Sequence, residues 1–162
     1  EELNRECLEK IEYCKKKNEQ NKLIYQINIE NAKKGDEKAQ YVIGYMYHKG
    51  KGVPKNYVKA ADWYKKAAEH KNTKALNNLA YLYQKGKGVN KDIHKAEQLL
   101  LKSAKQGDDV ACLNLGILYQ TGKLGTANME DAEYWYRKAM DKGNPTATRI
   151  YRRIQSMEQK EN

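Results

Sequence analysis

The segment AQYVIGYMYHKGKGV at residues 39–53 is followed, 36 residues later, by ALNNLAYLYQKGKGV at residues 75–89. Both segments end in KGKGV, and residues 39–74 match residues 75–110 at 13 of 36 positions without a gap. A diverged third copy, ACLNLGILYQTGKLG, occupies residues 111–125. Self-similarity at a fixed period of this length indicates a tandem structural repeat.

Each repeat predicts two helices, because small and apolar residues recur at spacings of three and four and so share one helical face. In the first copy these residues are Ile43, Gly44 and Tyr47, then Ala60, Trp63 and Ala67. Short polar residues that can cap helix N-termini precede every predicted helix of the repeats. They are Asp36, Asn72, Asp108 and Asn144 before first helices, and Asn56, Asp92 and Asn128 before second helices. KGKGV then connects the two helices of a hairpin.

Glycine and lysine in KGKGV also allow a phosphate-binding loop, but the spacing argues against it. Such a loop needs two glycines five apart, then Lys and Ser or Thr, after a strand. Here Gly44 and Gly50 are six apart, and Lys123 in the third copy is followed by Leu124. We therefore expect no nucleotide and no other cofactor.

Few residues of the chain suit catalysis or metal binding. The three histidines fall in different predicted elements, and the two serines lie in no nucleophile motif. Cys7 and Cys14 are seven residues apart, about 10.5 Å along one helix, which is too far for a disulfide. The sequence thus predicts neither an enzyme nor a metal site.

The net charge of +10 is concentrated in two repeats. Residues 37–72 hold eight lysines against three acidic residues, and residues 73–108 hold seven against three. This clustering indicates one electropositive region and leaves open binding to an acidic protein or to nucleic acid. Arginine, the preferred reader of bases, is sparse, so nucleic acid is the less favoured partner.

The sequence does not settle localisation. It contains no signal peptide and no membrane-spanning segment, and its cysteine usage is compatible with the cytoplasm without excluding export. The chain starts at Glu1 and not at Met, which is compatible with a piece excised from a longer protein. The oligomeric state is equally open.

The pattern A-x-x-x-L-G-x-x-Y-x-x-G-x-G-V…K-A-x-x-W-Y-x-K-A-A resembles the Sel1-like repeat, a relative of the tetratricopeptide repeat. The first copy follows it from Ala39 to Ala68, whereas the second replaces the Trp-Tyr pair with Leu99 and Leu100. The resemblance implies an all-α protein, a right-handed α/α solenoid of antiparallel helix pairs with about nine helices.

The repeats are expected at 36–71, 72–107 and 108–143, with a capping helix at 144–162. Residues 1–35 are expected to form a degenerate capping hairpin. A shift of 36 places Leu3, Cys7, Leu8 and Ile11 on first-helix core positions, and Ile24 and Ile27 on second-helix positions.

The resemblance further implies a non-enzymatic adaptor or scaffold that binds a protein segment in the concave groove formed by the first helices. Positions transferred from tetratricopeptide grooves are Lys38, Tyr41, Tyr45, His48 and Lys49, then Lys74, Asn77, Tyr81, Gln84 and Lys85, then Leu113, Ile117, Gln120, Arg149 and Arg153. A partner with acidic and apolar residues would suit them. A cysteine-rich branch of the family is associated with β-lactamase activity but pairs cysteines within repeats, which this chain does not, so a β-lactamase-like hydrolase is the least favoured alternative.

Overall fold

The computed structural model describes the backbone of residues 2–161 and the side chains of residues 5–157, and this described part contains eight helices and no strand. They are α1 (Glu2–Lys33), α2 (Glu37–Lys49), α3 (Tyr57–Glu69), α4 (Thr73–Lys85), α5 (Ile93–Lys105), α6 (Asp109–Gln120), α7 (Met129–Asp141) and α8 (Pro145–Glu161). Each helix packs against the next one in the chain. The result is a helical solenoid, as predicted.

Capping residues set the start of each repeat helix where the sequence predicts it. All seven predicted caps accept a hydrogen bond from the backbone N–H three residues later, at 2.6–3.0 Å. These bonds satisfy donors that a helix leaves free in its first turn. Equivalent helices of successive repeats therefore start 36 residues apart.

The core follows the same register, with one difference from the sequence prediction. Ile43 on α2 is fully buried, and so is Tyr64 on α3, whereas Trp63 is only partly buried. Trp63 instead lies under Lys66, whose Nζ is 4.3 Å from its ring centroid. The large buried ring of the second helix is thus the tyrosine of the Trp-Tyr pair.

The second glycine of KGKGV allows two backbones to approach closely. A Cβ added to Gly52 would lie 2.6 Å from the carbonyl carbon of Asn21 in α1, and one added to Gly88 would overlap the carbonyl carbon of Tyr57 in α3. Both glycines have positive φ, at 71° and 70°. Asn21 and Tyr57 are 36 residues apart, so the part of α1 from Asn21 onward takes the place of a second helix.

The predicted capping hairpin at residues 1–35 is wrong, because α1 is one continuous helix. Residues 1–34 contain neither glycine nor proline, so nothing in this segment ends the helix before Gly35. The predicted core positions of the hairpin are consequently open to solvent. Cys7, Leu8, Ile11, Ile24 and Ile27 are all exposed, and the side chain of Leu3 lies outside the described residues.

The part of α1 from Asn21 onward packs against the first repeat. Ala32 is 1% exposed, and its carbonyl accepts a hydrogen bond from Nε2 of Gln40 on α2 at 3.2 Å. The hydroxyls of Tyr25 and Tyr47 lie 3.0 Å apart, and their rings meet edge to face. These contacts fix α1 against α2 at the position that a preceding repeat would occupy.

Candidate protein-interaction surface

The predicted binding residues lie on α2, α4, α6 and α8, and we call the surface that they form the first-helix groove. Lys38, Tyr41, Tyr45, His48 and Lys49 lie on α2, and Lys74, Asn77, Tyr81, Gln84 and Lys85 lie on α4. Leu113, Ile117 and Gln120 lie on α6, and Arg149 and Arg153 lie on α8. N-caps three residues before Ala39, Ala75 and Ala111 start these helices in the same register.

His48 is the centre of a group of aromatic rings between the first two repeats. Its ring stacks on Tyr81 of α4, with centroids 5.8 Å apart and planes inclined by 17°. It meets Tyr57 and Tyr64 edge to face, and its Nδ1 lies 3.2 Å from the Tyr64 hydroxyl. Tyr41 connects this group to Tyr45, at 6.0 Å from Tyr64 and 6.3 Å from Tyr45. The rings therefore form one continuous row from α2 to α4.

Lysine ammonium groups lie over the ends of this row. Nζ of Lys49 and of Lys51 are 5.9 and 5.2 Å from the Tyr45 centroid. At the other end, Nζ of Lys87 is 5.2 Å from the Tyr57 centroid and 5.5 Å from that of Tyr81. Distances below about 6 Å allow cation–π attraction, which holds these flexible side chains over the rings. We call the rings and these three lysines the aromatic–lysine cluster.

Burial and positive charge act together on His48, which is 8% exposed. Desolvation lowers its pKa, and the neighbouring Lys49, Lys87 and Lys55 lower it further. Lys87 responds in the opposite direction: its hydrogen bond to the Tyr81 hydroxyl at 3.3 Å and its proximity to Tyr57 raise its pKa. At neutral pH the cluster thus combines a neutral imidazole with cationic lysines.

Other predicted residues make contacts within the solenoid. Asn77 donates from Nδ2 to Asp108 at 2.8 Å, and its buried Oδ1 has no hydrogen-bond partner among the described residues. Gln120 accepts a hydrogen bond from the Tyr136 hydroxyl at 2.6 Å. Leu113 and Ile117 are partly buried. The remaining predicted lysines and arginines, Lys38, Lys74, Lys85, Arg149 and Arg153, are exposed, and Gln84 is partly buried.

The predicted groove lacks four residues of the cluster, namely Lys51, Lys87, Tyr57 and Tyr64. Tyr57 and Tyr64 lie on α3, whereas the predicted groove consists of first helices. The positions of the two lysines depend on how the KGKGV loop folds back over the rings, which helical periodicity does not describe. One signal was nevertheless present, because Lys51 and Lys87 each follow a tyrosine of the groove by six residues.

The described residues contain no group of histidine, cysteine and acidic side chains that is arranged to hold a metal ion. All three cysteines are free thiols: Cys7 and Cys14 are exposed, and Cys112 is buried in α6. Within the described part of the chain, no helix is both long and apolar enough to cross a membrane.

The sequence of the chain is similar to a known family of repeat proteins. The family model described as "Sel1 repeat" matches residues 37–72, 73–108 and 109–144. A curated relative, the chitin synthase regulator SKT5 of Saccharomyces cerevisiae, is 40% identical over 53 residues, which are 33% of this chain and 8% of that protein. The chain thus spans a small part of that relative's length.

Three solved structures with the same fold come from bacteria. A Sel1 repeat protein from Oxalobacter formigenes is 38% identical with a TM-score of 0.66, over 72% of this chain and 47% of that one. A protective antigen of uropathogenic Escherichia coli is 31% identical with a TM-score of 0.72, over 78% and 27%. Cysteine-rich protein B of Helicobacter pylori is 32% identical with a TM-score of 0.55, over 59% and 71%.

Sel1 repeats typically mediate protein–protein interaction, and proteins built from them are generally non-catalytic scaffolds. The caps, the buried stripes and the recurring loop of this chain give the physical basis of the match at each of its three matched segments. The chain belongs to the Sel1 repeat family.

Proposed function

We propose that this protein is an interaction module that binds a segment of a partner protein along the first-helix groove. The observation that carries the proposal is the aromatic–lysine cluster, where rings from two adjacent repeats form one row under lysine side chains. Tyr81 is 37% exposed although its ring is held by His48 and Lys87. Rigid, partly exposed aromatic side chains are typical anchors of protein interfaces.

The charge of the groove defines the chemistry of the partner. The two repeats that form the cluster carry most of the positive charge of the chain. Four lysines of the first-helix groove are exposed there, namely Lys38, Lys49, Lys74 and Lys85. A segment with carboxylates beside apolar side chains would place its acids near these lysines and its apolar groups on Tyr41, Tyr45 and Tyr81. Charges at the rim mainly raise the association rate, whereas aromatic anchors contribute the affinity.

The test compares capture of proteins from a lysate by the wild type and by two sets of variants. Tyr45→Ala and Tyr81→Ala remove anchors of the groove, whereas Asp62→Ala and Gln98→Ala change exposed positions on the second helices α3 and α5. We expect a genuine partner to dissociate faster from the tyrosine variants, with a loss on the order of 2 kcal/mol each. Melting curves must show that every variant is folded.

The opposite pattern would disprove the groove model. A partner whose binding ignores Tyr45→Ala and Tyr81→Ala but is lost with Asp62→Ala or Gln98→Ala binds the second helices. Reversal of Lys49 and Lys85 to Glu gives an independent check, since it should slow association and flatten its salt dependence while leaving dissociation nearly unchanged.

A further inference from the structure

The same lysine–tyrosine contact is built twice, one repeat apart. Lys51 and Lys87 are the second lysines of the two KGKGV segments, and Tyr45 and Tyr81 precede them by six residues. Nζ of Lys51 is 5.2 Å from the Tyr45 centroid, and Nζ of Lys87 is 5.5 Å from the Tyr81 centroid. We call these the two Lys–Tyr pairs.

The third repeat shows that the fold does not require this pair. Ile117 stands at the tyrosine position there, with Lys123 at the lysine position. The helices α6 and α7 nevertheless form and pack as in the other repeats. The two Lys–Tyr pairs are therefore a feature of repeats one and two that packing alone does not explain.

The distance between the pairs follows from the repeat. Tyr45 and Tyr81 occupy equivalent positions on α2 and α4, which contact each other, and the ring of His48 on α2 stacks on Tyr81 at 5.8 Å. Packed helices lie about 8–10 Å apart, so equivalent positions on them are separated by about 10 Å. A polyproline II segment advances about 9 Å in three residues, and its three-residue period places residues three apart on one face.

We propose that the two Lys–Tyr pairs bind two acidic side chains that lie three residues apart in a partner segment of polyproline II conformation, where both side chains face the same way. The inference rests on the proposed function of the groove and specifies its ligand. Each ammonium group pairs with one carboxylate, while the tyrosine ring below contacts the methylene groups of the acid and its neighbour. Because the pairs repeat with the solenoid, the partner is recognised by the spacing of its acids.

The probe is a set of short synthetic peptides in which two glutamates stand two, three, four or seven positions apart among randomised apolar and serine residues. The seven-residue spacing represents two turns of a helix. We expect the wild-type protein to enrich the three-residue spacing about tenfold over the others, which corresponds to about 1.4 kcal/mol. Enrichment of the seven-residue spacing alone would overturn the extended form of the ligand.

The double variant Lys51→Glu/Lys87→Glu should weaken binding of the enriched peptide about tenfold or more. Lys55→Glu/Lys91→Glu makes the same charge change in the same two loops and is the matched control, for which we expect less than about a threefold loss. Replacing both peptide glutamates by lysine should restore binding to the first double variant. A merely structural role of Lys51 and Lys87 would not allow this restoration.

The outcomes separate the two proposals. If peptides bind but show no preferred acid spacing, or if both double variants lose binding equally, the Lys–Tyr inference is wrong and the groove model stands. If no peptide of the set binds the wild type, the groove model is wrong as well.

Discussion

In each repeat, the size of one residue on the first helix is matched to the side chain that packs against it from the second helix. Gly44 and Gly116 lie against Tyr64 and Tyr136, where an added Cβ would come within 2.7 and 2.5 Å of ring carbons. The second repeat has Ala80 in the equivalent position and the smaller Leu100 opposite. Each repeat thus pairs a small residue on the first helix with a larger one on the second.

Gly44→Ala should therefore destabilise the protein by about 1–3 kcal/mol, because the buried Tyr64 ring must move. Adding Tyr64→Leu recreates the pair found in the second repeat and should restore part of this loss. Denaturant unfolding of both single variants and the double variant gives the coupling free energy, which we expect to be about 1 kcal/mol or more. Additive effects would show that the two positions do not contact each other.

His48 should make the stability of the fold depend on pH. Its pKa is lowered in the folded state from the usual 6.5, so between the two values the unfolded chain binds more protons. Stability is therefore expected to fall as the pH falls from about 6.5 towards the folded pKa. Thermal unfolding between pH 5.5 and 7.5 should show a smaller change for His48→Gln than for the wild type. His94→Gln, at a side chain that is 75% exposed, is the control and should behave like the wild type.

At the level of helices, the sequence predicts where a helix starts and ends, because nearby residues determine these positions. Capping side chains, glycines and small-residue stripes locate α2 to α8, since each signal acts within a few residues. At α1 two signals conflict: the match in the 36-residue register favours a hairpin, whereas the absence of any residue that ends a helix favours the continuous helix that forms. Register indicates which residues can form a core, whereas turn residues decide whether the chain can reverse.

One connection departs from the rule that a glycine precedes the cap of a first helix. Lys71 stands where the other repeats have Gly35, Gly107 and Gly143, and it adopts the left-handed conformation with φ of 63°. Lys71→Gly should stabilise the protein by about 0.5–1 kcal/mol, since a side chain is unfavourable there. Lys102→Gly, inside α5, should instead cost about 1 kcal/mol. Chemical denaturation checks both, and a loss of stability in Lys71→Gly would contradict the assigned strain.

At the scale of the whole molecule, the sequence predicts the solenoid and the helices that form the groove, but not the detailed surface. Tyr45 and Tyr81 are placed on adjacent first helices by the repeat alone. The stacking of Tyr81 on His48 and the position of Lys87 over Tyr57 arise from packing between repeats and from the path of a loop. Helical periodicity contains neither piece of information, so these contacts required the three-dimensional structure.

The central claim is that partners bind the first-helix groove, and site-specific photo-crosslinking tests it most directly. A photoreactive phenylalanine analogue replaces Tyr81 on α4 in one variant and Gln98 on α5 in the other, both at exposed positions. With a partner or with the enriched peptide, the account predicts a crosslink from position 81 that is lost with Lys51→Glu/Lys87→Glu, and none from position 98. Crosslinking from position 98 alone would contradict the account and place the binding surface on the second helices.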